Sequence, residues 1–353
     1  MLRFSRSKNP TDPTQFSVTE TPTLLAYREE MLPYFVGSAR WHTVEGVEGV
    51  PLRAVTIGPR YGESGLLILN GYADSLLYYV ELAFRLRETG ITIVLYDHRG
   101  QGLSGRLLPD NAKGHVESSD RYISDAKRVY ESLFKPSHFE RRVMLGHSMG
   151  GAIASLYVRT YPDDFGGIIL TAPMFRIHTR PIPRPVAGLV VQLQDFIGLG
   201  THYTVGQGPY TVPSFDENVI TSDRDHYDLI RTIIRDHPEV RIGGATARWA
   251  AEAFRLSRRA RLANRAVELP MLLLHGEKDP VVRISPRDFP RRSARFAERV
   301  LPSALHGLFL ERSEVVSSIA EEIAGFFEHG PIHGSRPNGL PAAGRRQDRA
   351  GAV

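Results

Sequence analysis

The chain has 353 residues, of which 42% are hydrophobic and 24% are charged, and its formal net charge is +5 at pH 7. This composition is typical of a globular protein long enough for one large domain with an insertion or for two domains. The chain contains no cysteine, which excludes disulfides, thiol catalysis and cysteine metal sites. The moderate positive charge fits an anionic lipid surface, although solubility alone explains it equally well. Zinc fingers, aromatic RNA-binding strands and long basic blocks are missing, so no nucleic-acid partner is predicted.

The two ends of the chain are predicted to lie outside the folded core. The first residues are basic but run into Asn9 and Pro10 without an apolar stretch, so no signal peptide is expected. No apolar run approaches the roughly 20 residues that a membrane-spanning helix needs. Residues 1–33 are polar and proline-spaced and are expected to form a loosely held lead-in. Residues 330–353 are rich in Gly, Pro, Ala and Arg and are expected to be disordered.

Short apolar runs alternate with helical patterns along much of the chain. Residues 40–44 and 52–57 alternate in polarity like the two strands of a hairpin. Further buried strands are predicted at 65–69, 91–96, 143–145, 167–173, 271–275 and 299–301, and helices at 76–86, 119–134 and 314–327. This alternation predicts an α/β fold with a mostly parallel central sheet that helices cover on both faces.

The alternation stops between 174 and 265, where three helical patterns follow one another. The first is an apolar stripe formed by Val186, Leu189, Val190, Leu193, Phe196 and Ile197. Ser222 is predicted to cap a second helix, and a third runs through Trp249 and Phe254. We predict a helical cap at 174–265, inserted into a core made of 34–173 and 266–329. The apolar stripes are either packing surfaces or the lining of a slot for an acyl chain, and the basic run 255–265 is either a solvated helix face or faces phosphate.

The segment Gly146-His147-Ser148-Met149-Gly150 lies between a predicted buried strand and a predicted helix. This context indicates a nucleophile elbow rather than an ordinary glycine turn. At such a turn the serine side chain projects above the sheet, and the flanking glycines have no Cβ to clash where strand and helix approach. The helix N-terminus can stabilise an anion beside Ser148.

A serine hydroxyl needs a base to take its proton and an acid to orient that base. In this architecture the order along the chain is serine, acid, histidine, with each residue at the carboxyl end of a strand. Asp279 follows the strand 271–275 and His306 follows the strand 299–301. Singly, Asp279 could be a turn residue and His306 part of a surface loop. Together with Ser148 they predict a catalytic triad in an α/β-hydrolase fold.

Two backbone N–H groups should form the oxyanion hole. One belongs to Met149, directly after the nucleophile, and the other is assigned to Tyr72 in the loop after the strand 65–69. Among the other histidines, we expect His147 to pack under the elbow. His275 lies at the end of a strand ahead of the acid, so we expect it to have a supporting role rather than that of the base. Two further histidines, His98 and His115, are candidate pocket residues without an assigned role.

The segment 100–105 satisfies the G-x-G-x-x-G pattern of dinucleotide-binding loops. A loop follows it rather than the helix that would hold a pyrophosphate, so a tight glycine loop is the better interpretation. The sequence contains no spaced set of metal ligands. No cofactor and no metal are therefore predicted.

Several segments resemble one bacterial family closely. They are 97–106 (DHRGQGLSGR), 114–116, 147–153, 170–175 and, in the predicted cap, 218–222 and 241–246. Together they resemble the bacterial lysophospholipase of the L-two type, within the α/β-hydrolases that also include the monoacylglycerol lipases. The similarity runs from about residue 34 to residue 327. Monoacylglycerol lipases usually begin the oxyanion loop with His-Gly, whereas this chain has Asn70-Gly71-Tyr72.

The resemblance implies hydrolysis of the remaining acyl ester of lysophospholipids, with acyl transfer to another lipid as a related activity. It also implies a peripheral protein on the cytoplasmic side of the inner membrane, and it carries the triad to Ser148, Asp279 and His306. A monoacylglycerol lipase or a short-chain carboxylesterase is the nearest alternative, and an aminopeptidase is a more distant one. A binding module on a hydrolase fold is also considered, but a binding module has no need of all three triad residues.

Overall fold

The computed structural model describes residues 20–59, 62–179, 181–290 and 295–330. Within these ranges one sheet contains β1 (Arg40–Glu45), β2 (Pro51–Ile57), β3 (Ser64–Leu69), β4 (Ile91–Tyr96), β5 (Arg141–His147), β6 (Gly167–Thr171), β7 (Met271–Gly276) and β8 (Phe296–Leu301). Their spatial order is β1-β2-β4-β3-β5-β6-β7-β8. The strand β2 pairs antiparallel with β1 and β4, and all other pairs are parallel. The predicted mostly parallel α/β sheet is confirmed.

The central strands are apolar because both faces of the sheet are covered, and every residue of β3, β4 and β6 is buried. Successive residues of β3 point to opposite faces. Leu66 and Ile68 belong to one core layer and Leu67 and Leu69 to the other. The helices are α1 (Pro22–Ala26), α2 (Leu32–Ser38), α3 (Val80–Arg85), α4 (Asp120–Val129), α5 (Met149–Thr160), α6 (Arg184–Gln194), α7 (Arg224–Asp236), α8 (Ala247–Asn264) and α9 (Ser313–His329). Residues of α3 and α9 pack in the first layer, and residues of α4, α5 and α8 in the second.

The N-terminal segment differs from its prediction. The helices α1 and α2 are joined by a π-helical turn, and Leu24, Tyr27, Met31 and Phe35 are all buried in the first core layer. Their spacing of three or four residues forms an apolar helical stripe. The prediction of a loosely held lead-in is therefore wrong for residues 22–33. Residues 1–19 and the predicted disordered tail beyond 330 lie outside the described residues.

The helices α6, α7 and α8 lie in the chain between β6 and β7, where helical patterns were predicted. The cap of α7 is Asp223, whose side chain accepts a hydrogen bond from the His226 N–H, so the prediction of Ser222 is wrong by one residue. Ser222 instead donates its hydroxyl to Glu311 at 2.8 Å. That 174–265 forms a separate domain stays a prediction, and we use "cap" for α6–α8 and the segments joining them.

The predicted apolar stripe of α6 neither packs in a core nor lines a slot. Leu189 is 67% exposed and Phe196, in the π-helical turn that continues α6, is 87% exposed. The opposite side of the helix, at Gly188 and Val191, is buried. Among the residues that the structure describes, none of the helices combines the length and apolarity needed to cross a bilayer.

Candidate active site

The turn between β5 and α5 holds Ser148 in a conformation that side chains rarely adopt. Its φ is 51° and its ψ is −114°, which costs on the order of 1–3 kcal/mol and persists only where the surroundings enforce it. A Cβ atom at Gly150 would lie 2.0 Å from the carbonyl oxygen of Leu69, and one at Gly146 would lie 2.5 Å from the carbonyl oxygen of Gly150. The predicted strand, sharp turn and helix are therefore present, and the two glycines are sterically required.

The structure brings Ser148, His306 and Asp279 together from three distant parts of the chain. The Ser148 Oγ lies 2.8 Å from Nε2 of His306. The Nδ1 of the same ring lies 2.7 Å from Oδ2 of Asp279. All three side chains are almost completely buried. A neutral imidazole that donates from Nδ1 to the carboxylate presents a free electron pair at Nε2, where the serine proton can be accepted.

The carboxylate of Asp279 is fixed on both of its oxygens. Oδ1 accepts hydrogen bonds from the N–H groups of Val281 at 2.7 Å and Val282 at 3.0 Å. Burial alone would raise the pKa of Asp279, but the hydrogen bond and charge of His306 and the two N–H groups outweigh it and hold the pKa below its usual value. Asp279 is therefore ionised at neutral pH and can stabilise a positive charge on His306.

The two predicted oxyanion donors are Met149 in the elbow and Tyr72 in the loop after β3. Met149 is the first residue of α5, so no carbonyl one turn earlier in the helix accepts from its N–H. Tyr72 lines the same cavity as Ser148. Its ring packs on the Trp249 indole with 3.8 Å between ring centroids, and its hydroxyl lies 3.4 Å from the Gly243 carbonyl oxygen. The oxyanion loop thus contacts the cap directly.

Asp97 holds the oxyanion loop in place through hydrogen bonds. Its carboxylate accepts hydrogen bonds from the Asn70 amide at 2.8 Å, from the Leu76 N–H at 2.6 Å and from the Leu103 N–H at 2.7 Å. Burial raises the pKa of Asp97 to about 7. A Cβ at Gly102 would lie 2.1 Å from Asp97 Oδ2. The segment 97–106 therefore supports the loop that carries Tyr72, and the glycines that matched a nucleotide motif serve this packing.

A cavity of about 230 Å³ opens at Ser148. Its walls are mostly apolar and aromatic, and they come from the oxyanion loop, the 3₁₀ turn Leu76–Tyr79 before α3, the His306 loop and the cap. Two lining residues carry full charges, Asp74 and Arg231. The Asp74 carboxylate accepts from the Gly71 N–H at 3.0 Å and from the Tyr79 hydroxyl at 2.9 Å. Burial raises the pKa of Asp74 to about 6.

The other histidines do not compete with His306. His147 is buried beneath the elbow with Nδ1 3.1 Å from the Thr171 hydroxyl, and burial followed by the charge of His306 lowers its pKa to about 3. His275, which was expected to have a supporting rather than a basic role, contacts Glu298 at 3.1 Å. His98 and His115, the two candidate pocket residues, are not among the described residues that line the Ser148 cavity.

One residue that positions the site was missed by sequence reasoning. Glu311 is fully buried, and its Oε1 accepts from the N–H groups of Leu305 at 2.7 Å and Ser222 at 3.0 Å. It therefore joins the loop of His306 to the cap segment before α7. No sequence signal identified it, because a carboxylate between a turn and a helix is usually exposed.

This fold and this site define a serine hydrolase of the α/β-hydrolase class, in which an elbow serine, an acid and a histidine follow one another along the chain. Residues 63–313 match the family model described as serine aminopeptidase, S33. Lysophospholipase L2 of Escherichia coli K12 is 31% identical over 82% of this chain and 88% of its own length. The chain therefore belongs to this serine hydrolase family, and its predicted resemblance to L2-type lysophospholipases is confirmed.

More distant relatives share the fold. A monoacylglycerol lipase of Mycolicibacterium smegmatis is 24% identical over 69% of this chain and 80% of its own length. The crystal structure of a soluble variant of monoglyceride lipase from Saccharomyces cerevisiae superimposes with a TM-score of 0.65. It is 18% identical and covers 84% of this chain and 97% of its own.

Proposed function

We propose that this protein hydrolyses the acyl ester of lysophospholipids through an acyl-enzyme intermediate. Ser148 is the nucleophile, His306 the general base and acid, and Asp279 the residue that orients His306. The observation that carries this proposal is the continuous chain of contacts from Ser148 Oγ through the imidazole to the Asp279 carboxylate, at the end of an apolar cavity. The 31% identity to lysophospholipase L2 supports the substrate class.

The reaction proceeds in two steps. His306 Nε2 takes the Ser148 proton while Oγ attacks the ester carbonyl carbon, and the carbonyl oxygen becomes an oxyanion that accepts from the N–H groups of Tyr72 and Met149. The bond from that carbon to the glycerol oxygen breaks, and His306 returns the proton to this leaving alcohol. Water, deprotonated by His306, then attacks the acyl-enzyme and releases the fatty acid, which restores Ser148. The apolar walls of the cavity suit an acyl chain.

A fluorophosphonate probe tests the nucleophile. Wild-type protein should be labelled, and Ser148→Ala should neither be labelled nor hydrolyse ester. Ser124→Ala on α4 is the matched control and should behave like wild type. Labelling of Ser148→Ala at the wild-type rate would contradict the assignment.

Rates on three esters test the substrate class: lysophosphatidylcholine, a monoacylglycerol and p-nitrophenyl butyrate. Lysophosphatidylcholine should be hydrolysed with a higher kcat/KM than p-nitrophenyl butyrate. A monoacylglycerol lipase is the second candidate, because proteins of that name are also relatives. A short ester that outpaced both lipids by orders of magnitude would end the lipid assignment.

We also propose peripheral contact with the cytoplasmic face of an anionic membrane through α6. The exposed side chains of the α6 stripe include Leu189, Leu193 and Phe196, and an apolar helix face of this kind inserts at the headgroup boundary. An arginine cluster stands beside it: Arg176, Arg261 and Arg265 lie 2.6, 3.9 and 3.3 Å from the buried carboxylate of Asp288.

Arg184, the first residue of α6, belongs to the same cluster. Burial and then the charges of Arg261 and Arg176 lower its pKa, which shows that these cations are close to one another. Four guanidiniums around one carboxylate leave positive charge beside the apolar stripe, and anionic headgroups complement it. Of the other arginines in the basic run, Arg255 and Arg259 pair with Asp120.

Co-sedimentation with phosphatidylglycerol vesicles tests this contact. The double variant L189S/F196S should bind about tenfold or more weakly, because two large apolar side chains no longer leave water. The control is Leu262→Ser on α8, an exposed leucine outside the stripe, which should bind like wild type. Equal binding of the double variant, or a stripe-dependent dimer in solution without vesicle binding, would refute the proposal.

A further inference from the structure

The cavity that contains Ser148 has a cationic residue in its cap wall. Arg231 of α7 lines it together with Tyr210, Ile230 and Ile234. Among the described lining residues it is the one arginine or lysine. An acyl chain gains nothing from a guanidinium, so an apolar slot alone does not account for this residue.

Neighbours on α7 hold the guanidinium of Arg231 in place, and the group remains accessible from the cavity. Its Nη1 lies 3.9 Å from the Asp228 carboxylate, and its side chain is 21% exposed. The head also lies 5.4 Å from the centroid of the Tyr227 ring. A ligand in the cavity can therefore approach Arg231, while the side chain keeps its position between α7 neighbours.

Two further arginines stand on the other side of Tyr210. Tyr210 lines both the Ser148 cavity and a second cavity of about 590 Å³, whose walls include Arg106 and Arg241. Burial raises the pKa of Tyr210, while the charges of Arg241 and Arg231 both act to lower it. Positive charges on both sides of this ring are thus close enough to influence it.

Carboxylates on described residues accompany these cations. Glu239 lines the second cavity, where its carboxylate lies 3.3 Å from His237. Arg106 donates from Nη2 to the backbone carbonyl of Glu239, and its Nη1 is buried without a hydrogen-bond acceptor in the described part of the chain. Asp228 beside Arg231, and Glu239 and Asp97 near Arg106, offset part of this positive charge. Arg231 is the described arginine that reaches the Ser148 cavity itself.

We infer that Arg231 binds the phosphate of the substrate headgroup, with Arg241 and Arg106 behind Tyr210 adding positive potential. A guanidinium binds phosphate oxygens through two parallel N–H donors. The inference rests on the proposed function: the ester carbon is at Ser148 and the phosphate of the same lipid reaches Arg231. Arg231 is then a specificity residue that favours a lysophospholipid over a monoacylglycerol with the same acyl chain.

Arg231→Gln tests the inference through a ratio of two rates. We measure kcat/KM on monomeric 1-acyl lysophosphatidylglycerol and on the matching 1-monoacylglycerol. The variant should lose about tenfold to a hundredfold on the lysophospholipid, which corresponds to one charged hydrogen-bonding contact, and less than about threefold on the monoacylglycerol. Arg258→Gln, an exposed arginine of α8 outside both cavities, is the charge-matched control and should leave the ratio unchanged. A uniform loss on both substrates, or no change in the ratio, would overturn the inference.

Competitive inhibition distinguishes the phosphate site from the lysophospholipase activity. With p-nitrophenyl butyrate as substrate, glycerol 3-phosphate should inhibit wild-type protein more strongly than glycerol does, and Arg231→Gln should abolish the difference. Inhibition by inorganic phosphate that equals inhibition by glycerol 3-phosphate and survives in the variant would indicate an unrelated anion site and overturn the inference. Wild-type protein that hydrolyses monoacylglycerol but no lysophospholipid would overturn the proposed function instead, and the inhibition data would then decide the phosphate site separately. Arg241→Gln provides a second variant, with a smaller expected shift of the ratio, should Arg231→Gln fail to fold.

Discussion

Replacing His226 by glutamine tests how the cap is held to the rest of the molecule. His226 is buried at the start of α7, with Nε2 3.0 Å from Glu81 of α3 and Nδ1 2.8 Å from Asp223. Glu81 also forms an ion pair with Arg85 at 2.9 Å. The contact between His226 and Glu81 joins the cap to a helix that covers the sheet. Removing His226 leaves Glu81 with Arg85 as its remaining ion-pair partner. The expected cost is therefore that of one lost charged hydrogen bond, about 1.5–3 kcal/mol, and not that of a fully unpaired buried charge.

The pH dependence of this contact follows from two opposite pKa shifts. Burial alone would lower the pKa of His226, but the hydrogen bonds and charges of Glu81 and Asp223 outweigh it and raise the pKa above its ordinary value of 6.5. Burial alone would raise the pKa of Glu81, but His226 and Arg85 outweigh it and lower the pKa below 4.5. A raised histidine pKa stabilises fully below 6.5 and loses this effect as the pH rises through the folded-state pKa. A lowered glutamate pKa stabilises above 4.5 and loses this effect on acidification, so the contact is strongest between these two values.

We expect His226→Gln to lower the free energy of unfolding by about 2 kcal/mol at pH 5.5. The loss should be smaller at pH 9, because the contact weakens as the pH rises through the raised pKa of wild-type His226. Urea unfolding followed by circular dichroism at both pH values measures the difference. Because α7 also carries Arg231, KM for lysophospholipid should rise in the variant. His329→Gln, at the exposed end of α9, should change the unfolding free energy by less than about 0.5 kcal/mol. An equal loss at both pH values would show that the ion pair is not the source of the stability.

Three further predictions concern the site and its surroundings. Asp279→Asn should keep the fold but lower kcat by about 10⁴-fold, because the amide favours the wrong imidazole tautomer; steady-state kinetics and an unchanged melting curve check this. Gly150→Ala should prevent a native elbow, since its Cβ would lie 2.0 Å from the Leu69 carbonyl oxygen; loss of probe labelling at Ser148 together with a lower Tm is expected. Asp288→Asn should cost about 3 kcal/mol in urea unfolding, because the clustered guanidiniums lose their shared carboxylate; a change below 0.5 kcal/mol would show that solvent screens them.

The parts of the fold that the sequence predicts well are those with a one-dimensional signal. Buried parallel strands appear as unbroken apolar runs, and the elbow appears as glycines at a fixed spacing around Ser148. The N-terminal helices were not predicted, because the residues before Pro22 are polar and spaced by prolines, which is typical of a loose segment. The stripe of Leu24, Tyr27, Met31 and Phe35 nevertheless has clear helical spacing.

Other features have no one-dimensional signal, because they depend on which surfaces meet. Helical spacing shows that α6 has an apolar face, but it does not show that Phe196 remains in water. Nor does it place Arg231 in the same cavity as Ser148, 83 positions away in the chain. Burial of Glu311 likewise follows from tertiary packing, since its two partners lie in different segments.

The stacking of Tyr72 on Trp249 has a consequence for the timing of turnover. The loop that we propose as the source of an oxyanion donor packs against α8, so a displacement of α8 would also disturb that donor. With the cap displaced to exchange lipid, the enzyme would lack this donor, and ester cleavage would have to wait until the cap returned. Substrate entry and ester cleavage would then alternate. The acyl-enzyme would not react with unwanted acceptors while the cap is displaced.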